Sequence, residues 1–99
     1  MADDETFTAL WETALIEKKR GRRERMVEIL RDLTAAPNPR RPDACDELAK
    51  HLEHVAKDRR AALAVVEIGL DQEPENEVLE RRRRRLVKAL DRARPAPLF

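Results

Sequence analysis

Two glycines and three aromatic residues in a chain of 99 are too few for most small β-architectures. Their tight turns call for glycine and their strands favour aromatic side chains. The single cysteine, Cys45, cannot form an internal disulfide, so nothing points to an oxidising compartment. No apolar run approaches the ~18 residues of a membrane-spanning helix. A basic signal-peptide start is missing too, because Met1 is followed by Ala2-Asp3-Asp4-Glu5. Gly21 and Gly69 stand alone, which leaves no phosphate-cradling glycine loop. Charge of either sign is not in surplus: 21 basic residues against 20 acidic give +1, and self-repulsion does not oppose folding. Ninety-nine residues hold one small domain, 1–99, at most. The expectation is a soluble, cytoplasmic, all-α protein.

What is present is amphipathic helix. Leu, Ile, Val and Phe supply 23 residues, just above the level at which disorder becomes the default. Residues 6–19 place Phe7, Leu10, Trp11, Ala14 and Leu15 on one helical stripe, and Gly21 follows as a stop. Residues 22–35 do the same with Met26, Val27, Leu30 and Leu33. Three prolines within the 36–42 linker end that segment. Residues 43–57 carry Cys45, Leu48, Ala49, Leu52, Val55 and Ala56, with Asp43 as the expected N-cap. Asp58 is the expected cap of residues 59–72, where Ala62, Val65, Val66 and Gly69 face inward. Pro74 breaks the chain before residues 75–93, and 94–99 form a short tail. Short links make antiparallel neighbours. The segments therefore pair as 6–35 and 43–73, the two pairs stack on a shared core, and the fifth helix closes the end.

The second pair resembles a tetratricopeptide (TPR) repeat. Ala62, Val66, Gly69 and Pro74 stand at the spacing of that repeat's second helix, and Leu48, Ala49 and Leu52 match the cluster of its first. Cys45, Leu52 and Val66 occupy positions where the repeat has aromatics. A narrower resemblance joins Leu10-Trp11-Glu12, Glu47-Leu48-Ala49-Lys50 with Glu53-His54, Asp58 with Ala61-Ala62-Leu63, and Arg84-Arg85-Leu86. Together these are similar to the C-terminal helical region of ribonuclease H-like (YprB-type) proteins, in which an exonuclease-like domain precedes TPR-like helices. The resemblance implies an accessory helical domain with a nuclease-like or nucleic-acid-processing partner. It implies no catalysis here, since the nuclease domain needs a mixed sheet bearing acidic metal ligands.

Two basic clusters stand out. Arg81 to Arg85 point all round a helix, so Arg82 or Arg83 must interrupt the stripe of Leu79, Leu86, Leu90 and Ala93. Arg81, Arg84, Arg85, Lys88 and Arg92 line its solvent side. Lys18, Lys19, Arg20, Arg22, Arg23 and Arg25 cluster at the first hairpin turn. Such faces can track phosphates. They also suit a solvated face balanced by Glu77–Arg81 and Glu80–Arg84 pairs. The candidate phosphate contacts are Arg20, Arg22, Arg23, Arg81, Arg84, Arg85, Lys88 and Arg92.

His51 and His54 share a helix, but no further ligand cluster accompanies them, so metal binding is not expected. His54 is expected to hydrogen-bond a neighbouring helix. Cys45 reads as a small core residue, not a nucleophile. Trp11 is expected to anchor the first helix pair, or to be an exposed hot spot if that end of the stack is uncovered. No catalytic residue or cofactor is expected. The function expected is a non-enzymatic protein-interaction module with Trp11, Lys50, His51 and His54 as partner contacts. Direct, sequence-tolerant nucleic-acid binding and a homodimeric scaffold are the alternatives.

Overall fold

The computed structural model describes residues 3–93 and is all-α. It comprises α1 (Asp4–Lys19), α2 (Arg23–Thr34), α3 (Arg41–His54), α4 (Arg59–Gln72) and α5 (Glu77–Arg92), with no strand among the described residues. The tail at 94–99, Arg94 included, lies outside the described residues.

Local chemistry sets the helix ends. Asp3 caps α1: its carboxylate accepts from the Thr6 N–H at 2.9 Å and the Thr6 hydroxyl at 3.0 Å. Those bonds, the backbone one foremost, hold the Asp3 carboxyl below its ordinary 3.8. At the other end Gly21 takes a left-handed φ of 73°. The Arg22 N–H then reaches the Glu17 carbonyl at 2.9 Å and the Gly21 N–H the Lys18 carbonyl at 3.1 Å, a glycine-terminated helix stop. Asn76 caps α5 through the Leu79 N–H at 3.0 Å, which leaves Glu75 ahead of the helix.

Asp58 caps α4 as expected, accepting from the Ala61 N–H at 3.0 Å. Asp43 does not cap α3. The N-cap is Arg40, which makes no side-chain cap bond, and Pro42 sits in the first turn, where its fixed φ suits a helix start. Asp43 lies in that turn and pairs with Arg40 at 3.3 Å. The helix also ends early. Val55 and Ala56 fall beyond His54 and are exposed, so the buried stripe stops at Leu52.

Each helix packs chiefly on its neighbours in sequence, α1 on α2, α2 on α3, α3 on α4 and α4 on α5. The result is elongated, 56 × 30 × 20 Å. The core is drawn from α2 (Met26, Ile29, Leu30, Leu33), α3 (Ala44, Cys45, Leu48, Ala49, Leu52), α4 (Ala62, Val65, Val66) and α5 (Leu79, Leu86). From α1 only Ala14 is a buried apolar residue. Three helices converge on Gly69, where a Cβ would lie 2.7 Å from Leu79 Cδ1 and 3.0 Å from the Cβ of Cys45. A side chain there would push α4 off α3 and α5.

The proline-rich linker is more than a breaker. Asn38 is buried within it, its amide donating to the Leu33 carbonyl at 2.8 Å and the Ala36 carbonyl at 3.0 Å. Its side-chain oxygen accepts from the Arg40 N–H at 2.8 Å. Gln72 of α4 donates to the Asn38 carbonyl at 2.8 Å, tying the linker to the second helix pair.

Candidate interaction surface

On α3, Asp46, Lys50 and Glu53 fall on one side at i, i+4, i+7, with Glu47 at the edge of that side. Lys18 of α1 reaches Glu47 at 3.0 Å. Lys50 bridges Glu47 at 3.3 Å and Asp46 at 3.6 Å. Arg82 of α5 donates to Asp46 at 2.9 Å and to Glu53 at 3.3 Å, and Arg85 also pairs with Glu53. An ion-pair ladder thus crosses the molecule from α1 through α3 to α5. Arg82 is the member that interrupts the α5 stripe. Its side chain is only 10% exposed, and it is held between two carboxylates almost as enclosed. Burial at this depth demands such pairing.

The expected partner contacts are dispersed. Trp11 is half-buried against the edge of the core and is not its central anchor. Helix α2 covers one side of α1, and the end of the stack leaves the other open. Lys50 is half-buried in the ladder. His51 lines a shallow cleft of about 350 Å³ with Lys18, Arg23, Met26, Glu47, Lys50 and Val55. Burial first, then the Arg23 and Arg31 charges, hold its pKa below the ordinary 6.5. His54 is exposed. Its ring nitrogen lies 3.5 Å from the adjacent Glu53 carboxylate on its own helix, not against a neighbouring helix. Trp11 does not line the His51 cleft.

Of the candidate phosphate contacts, half are already engaged. Arg20 and Arg22 each approach the buried Glu17 at 3.6 Å. Arg84 approaches Glu80 at 3.8 Å, and Arg85 pairs with Glu53. The expected Glu77–Arg81 pair does not form, while Glu80 takes Arg83 at 3.5 Å as well as Arg84. Among the described residues Arg23, Arg81, Lys88 and Arg92 have no ion-pair partner. Arg81, Arg84, Arg85 and Lys88 line a single open cleft of about 710 Å³ with Arg83 and Val87.

Cys45 is buried, and loss of water pushes its thiol up to about 11, against a smaller opposing pull from Arg41. A thiol so placed is not a nucleophile at neutral pH. No three His, Cys, Asp or Glu side chains converge on a metal position among the described residues. No helix among them is long and apolar enough to cross a membrane.

Sequence reasoning missed three of these roles. Glu17 and Asn38 are polar residues in the buried set, and Asp46 and Glu53 hold Arg82 from another helix. The one signal in the sequence was the run of five arginines, which forces Arg82 or Arg83 into the apolar stripe but does not say what either would meet there. No family model matches the chain, and no curated protein and no solved structure matches it.

Proposed function

We propose that this chain is a non-enzymatic, TPR-like docking module for a protein partner. The docking face is the open side of α1 together with the outward side of α3. The carrying observation is the unfinished burial of α1: Phe7, Leu10, Trp11 and Leu15 are all half-buried. A half-covered tryptophan at the end of a helical stack offers the kind of aromatic anchor on which protein interfaces concentrate their binding energy. Lys50 and His54 would add polar contacts on α3, apart from Trp11. The resemblance to the helical region of ribonuclease H-like proteins favours a nuclease-like or nucleic-acid-processing partner. Capture from an extract of the native host tests this reading. The wild-type chain is expected to retain a protein that Trp11→Ala loses while keeping its helical circular dichroism. Equal retention by both forms overturns the use of α1.

Direct nucleic-acid binding is the second reading, favoured by the unpaired Arg81, Lys88 and Arg92 on one face of α5. Stacking aromatics are absent from that face, so binding would be backbone-directed and insensitive to sequence. Anisotropy of labelled RNA and DNA at about 50 and about 200 mM salt decides it, because phosphate contacts weaken steeply over that range. No binding at the lower salt removes it.

A further inference from the structure

The two ends of the stack carry opposite charge that nothing among the described residues neutralises. On the outer face of α1 lie Asp4, Glu5, Ala9 and Glu12, which line one shallow depression with Thr8. Ile16, on the same face, is 47% exposed. On the outer face of α5 lie Arg81, Lys88 and Arg92, with Val78 beside them at 54% exposure. None of these acids and none of these bases has an ion-pair partner among the described residues. The interior charges are different: Glu17, Asp46, Glu47 and Glu53 are each matched by an arginine or lysine. Arg23, Arg31, Asp32 and Glu67 of α2 and α4 also lack an ion-pair partner among the described residues, so unmatched charge is not confined to the ends.

The leftover groups also match in position. Short links make successive helices antiparallel, so a helix continuing the stack beyond α5 would run antiparallel to α5. With α1 of a second copy in that place, Ile16 falls opposite Val78, Glu12 opposite Arg81, Glu5 opposite Lys88 and Lys19 opposite Glu77. At about 1.5 Å of rise per residue, all these matches lie within one helical turn of a single register. In this register one apolar pair and three pairs of opposite charge face each other. A nucleic acid on α5 would use Arg81, Lys88 and Arg92 but would give no role to the acids of α1 or to the two exposed aliphatic residues.

We propose that the partner of these end faces is a second copy of this chain, with α5 of one molecule docking head to tail on α1 of the next. Such a contact joins two different surfaces, so it propagates into linear stacks unless a rotation closes it. Each face is about one helix wide, well below the area of a standard stable interface, so the association is weak, reversible and salt-sensitive. It shares the open side of α1 with the proposed protein partner, so the two would compete there, but it uses neither Trp11 nor α3. Trp11→Ala is expected to leave self-association intact, which separates failure of one reading from failure of the other.

Sedimentation of the full 99-residue chain tests the assembly. Mass is expected to rise with concentration up to about 100 μM in low salt and to return to the monomer in about 0.5 M salt, where the screening length falls to a few ångströms. Reversing one face, by Arg81→Glu with Lys88→Glu or by Glu5→Lys with Glu12→Lys, is expected to weaken self-association at least about tenfold. Mixing the two reversed chains restores growth, because a junction between their two unaltered faces, or between their two reversed faces, again joins opposite charges. The Ile16→Cys chain mixed with the Val78→Cys chain is expected to give a disulfide-linked heterodimer ahead of either homodimer, which reads the register itself. Four results overturn the proposal: a monomer at every concentration in low salt, growth that survives either reversal, preferential homodimers of either cysteine variant, or a monomeric chain whose α5 face instead binds labelled DNA.

Discussion

In α3 the residues Cys45, Leu48, Ala49 and Leu52, at i, i+3, i+4, i+7, are all buried, whereas in α1 Phe7, Leu10 and Trp11 at the first three of those positions stay half-exposed and only the small Ala14 at the fourth is buried. As sequence, the α1 stripe is no less apolar than that of α3. The difference lies in neighbours. Helix α3 is packed by α2 on one side and by α4 on the other, with α5 reaching its polar edge. Helix α1 has α2 alone as its main support. Helical periodicity therefore reports which residues are able to be buried, and position in the stack decides which of them are. The unfinished end of such a stack is where a binding surface is to be sought.

Truncating both stripes puts this contrast to its hardest test. Leu48→Ala opens a cavity in a site enclosed on all sides and is expected to cost about 3 kcal/mol of stability. Leu10→Ala removes a side chain that already meets water and is expected to cost about 1 kcal/mol. Urea unfolding followed by circular dichroism measures both. Equal losses would mean that α1 is covered in solution by something the isolated fold does not supply.

A smaller difference is expected between two arginines of the same run. Arg82→Ala strands Asp46 and Glu53, each less than a fifth exposed. Lys50 and Arg85 still reach these carboxylates, so the loss is expected near ~2 kcal/mol and not at the upper end for a broken buried pair. Arg84→Ala removes a distant, largely exposed contact and is expected to cost under about 0.5 kcal/mol. Denaturant midpoints of the two variants test the contrast, and indistinguishable midpoints would deny the ladder its structural role.

The smallest expected effect is in pH. His51 has a folded pKa below 6.5, so the unfolded chain takes up this proton before the folded chain does. Its contribution is fully present above pH 6.5 and declines as pH falls through the lower folded value. Titration of the His51 ring signals by NMR is expected to show that depressed value, and Arg23→Gln is expected to move it upward. A ring that titrates at its ordinary value would place His51 in open water, outside the cleft.

Much of the fold is readable from particular residues. The stop at Gly21, the cap at Asp58 and the breaks at the prolines act over a few residues, and local spacing displays them directly. The failures have equally local causes. Asp43 looked like a cap because Asp is a good one, but Pro42 lets the helix start earlier. Glu77–Arg81 has the right spacing, yet an exposed pair of that kind is worth only a few tenths of a kcal/mol and does not command its own geometry. Of the contact residues expected at Trp11, Lys50, His51 and His54, three lie on one helix and so were bound to be close. Their relation to α1 was not readable, nor was the ladder, because Lys18–Glu47 and Asp46–Arg82 are 29 and 36 residues apart.

Helicity, the breaks between helices and the side of each helix able to enter a core follow from the order of the amino acids alone. Periodicity and capping are short-range properties, set by bonds and rotations within one or two turns. The burial of α3 and the half-open state of α1 follow instead from the assembled fold. So does the choice of Arg82, from among five arginines, for the interior, and so do the unmatched acids at one end and the unmatched bases at the other. Those outcomes depend on which helices become neighbours, and neighbours are selected by the packing of the whole chain.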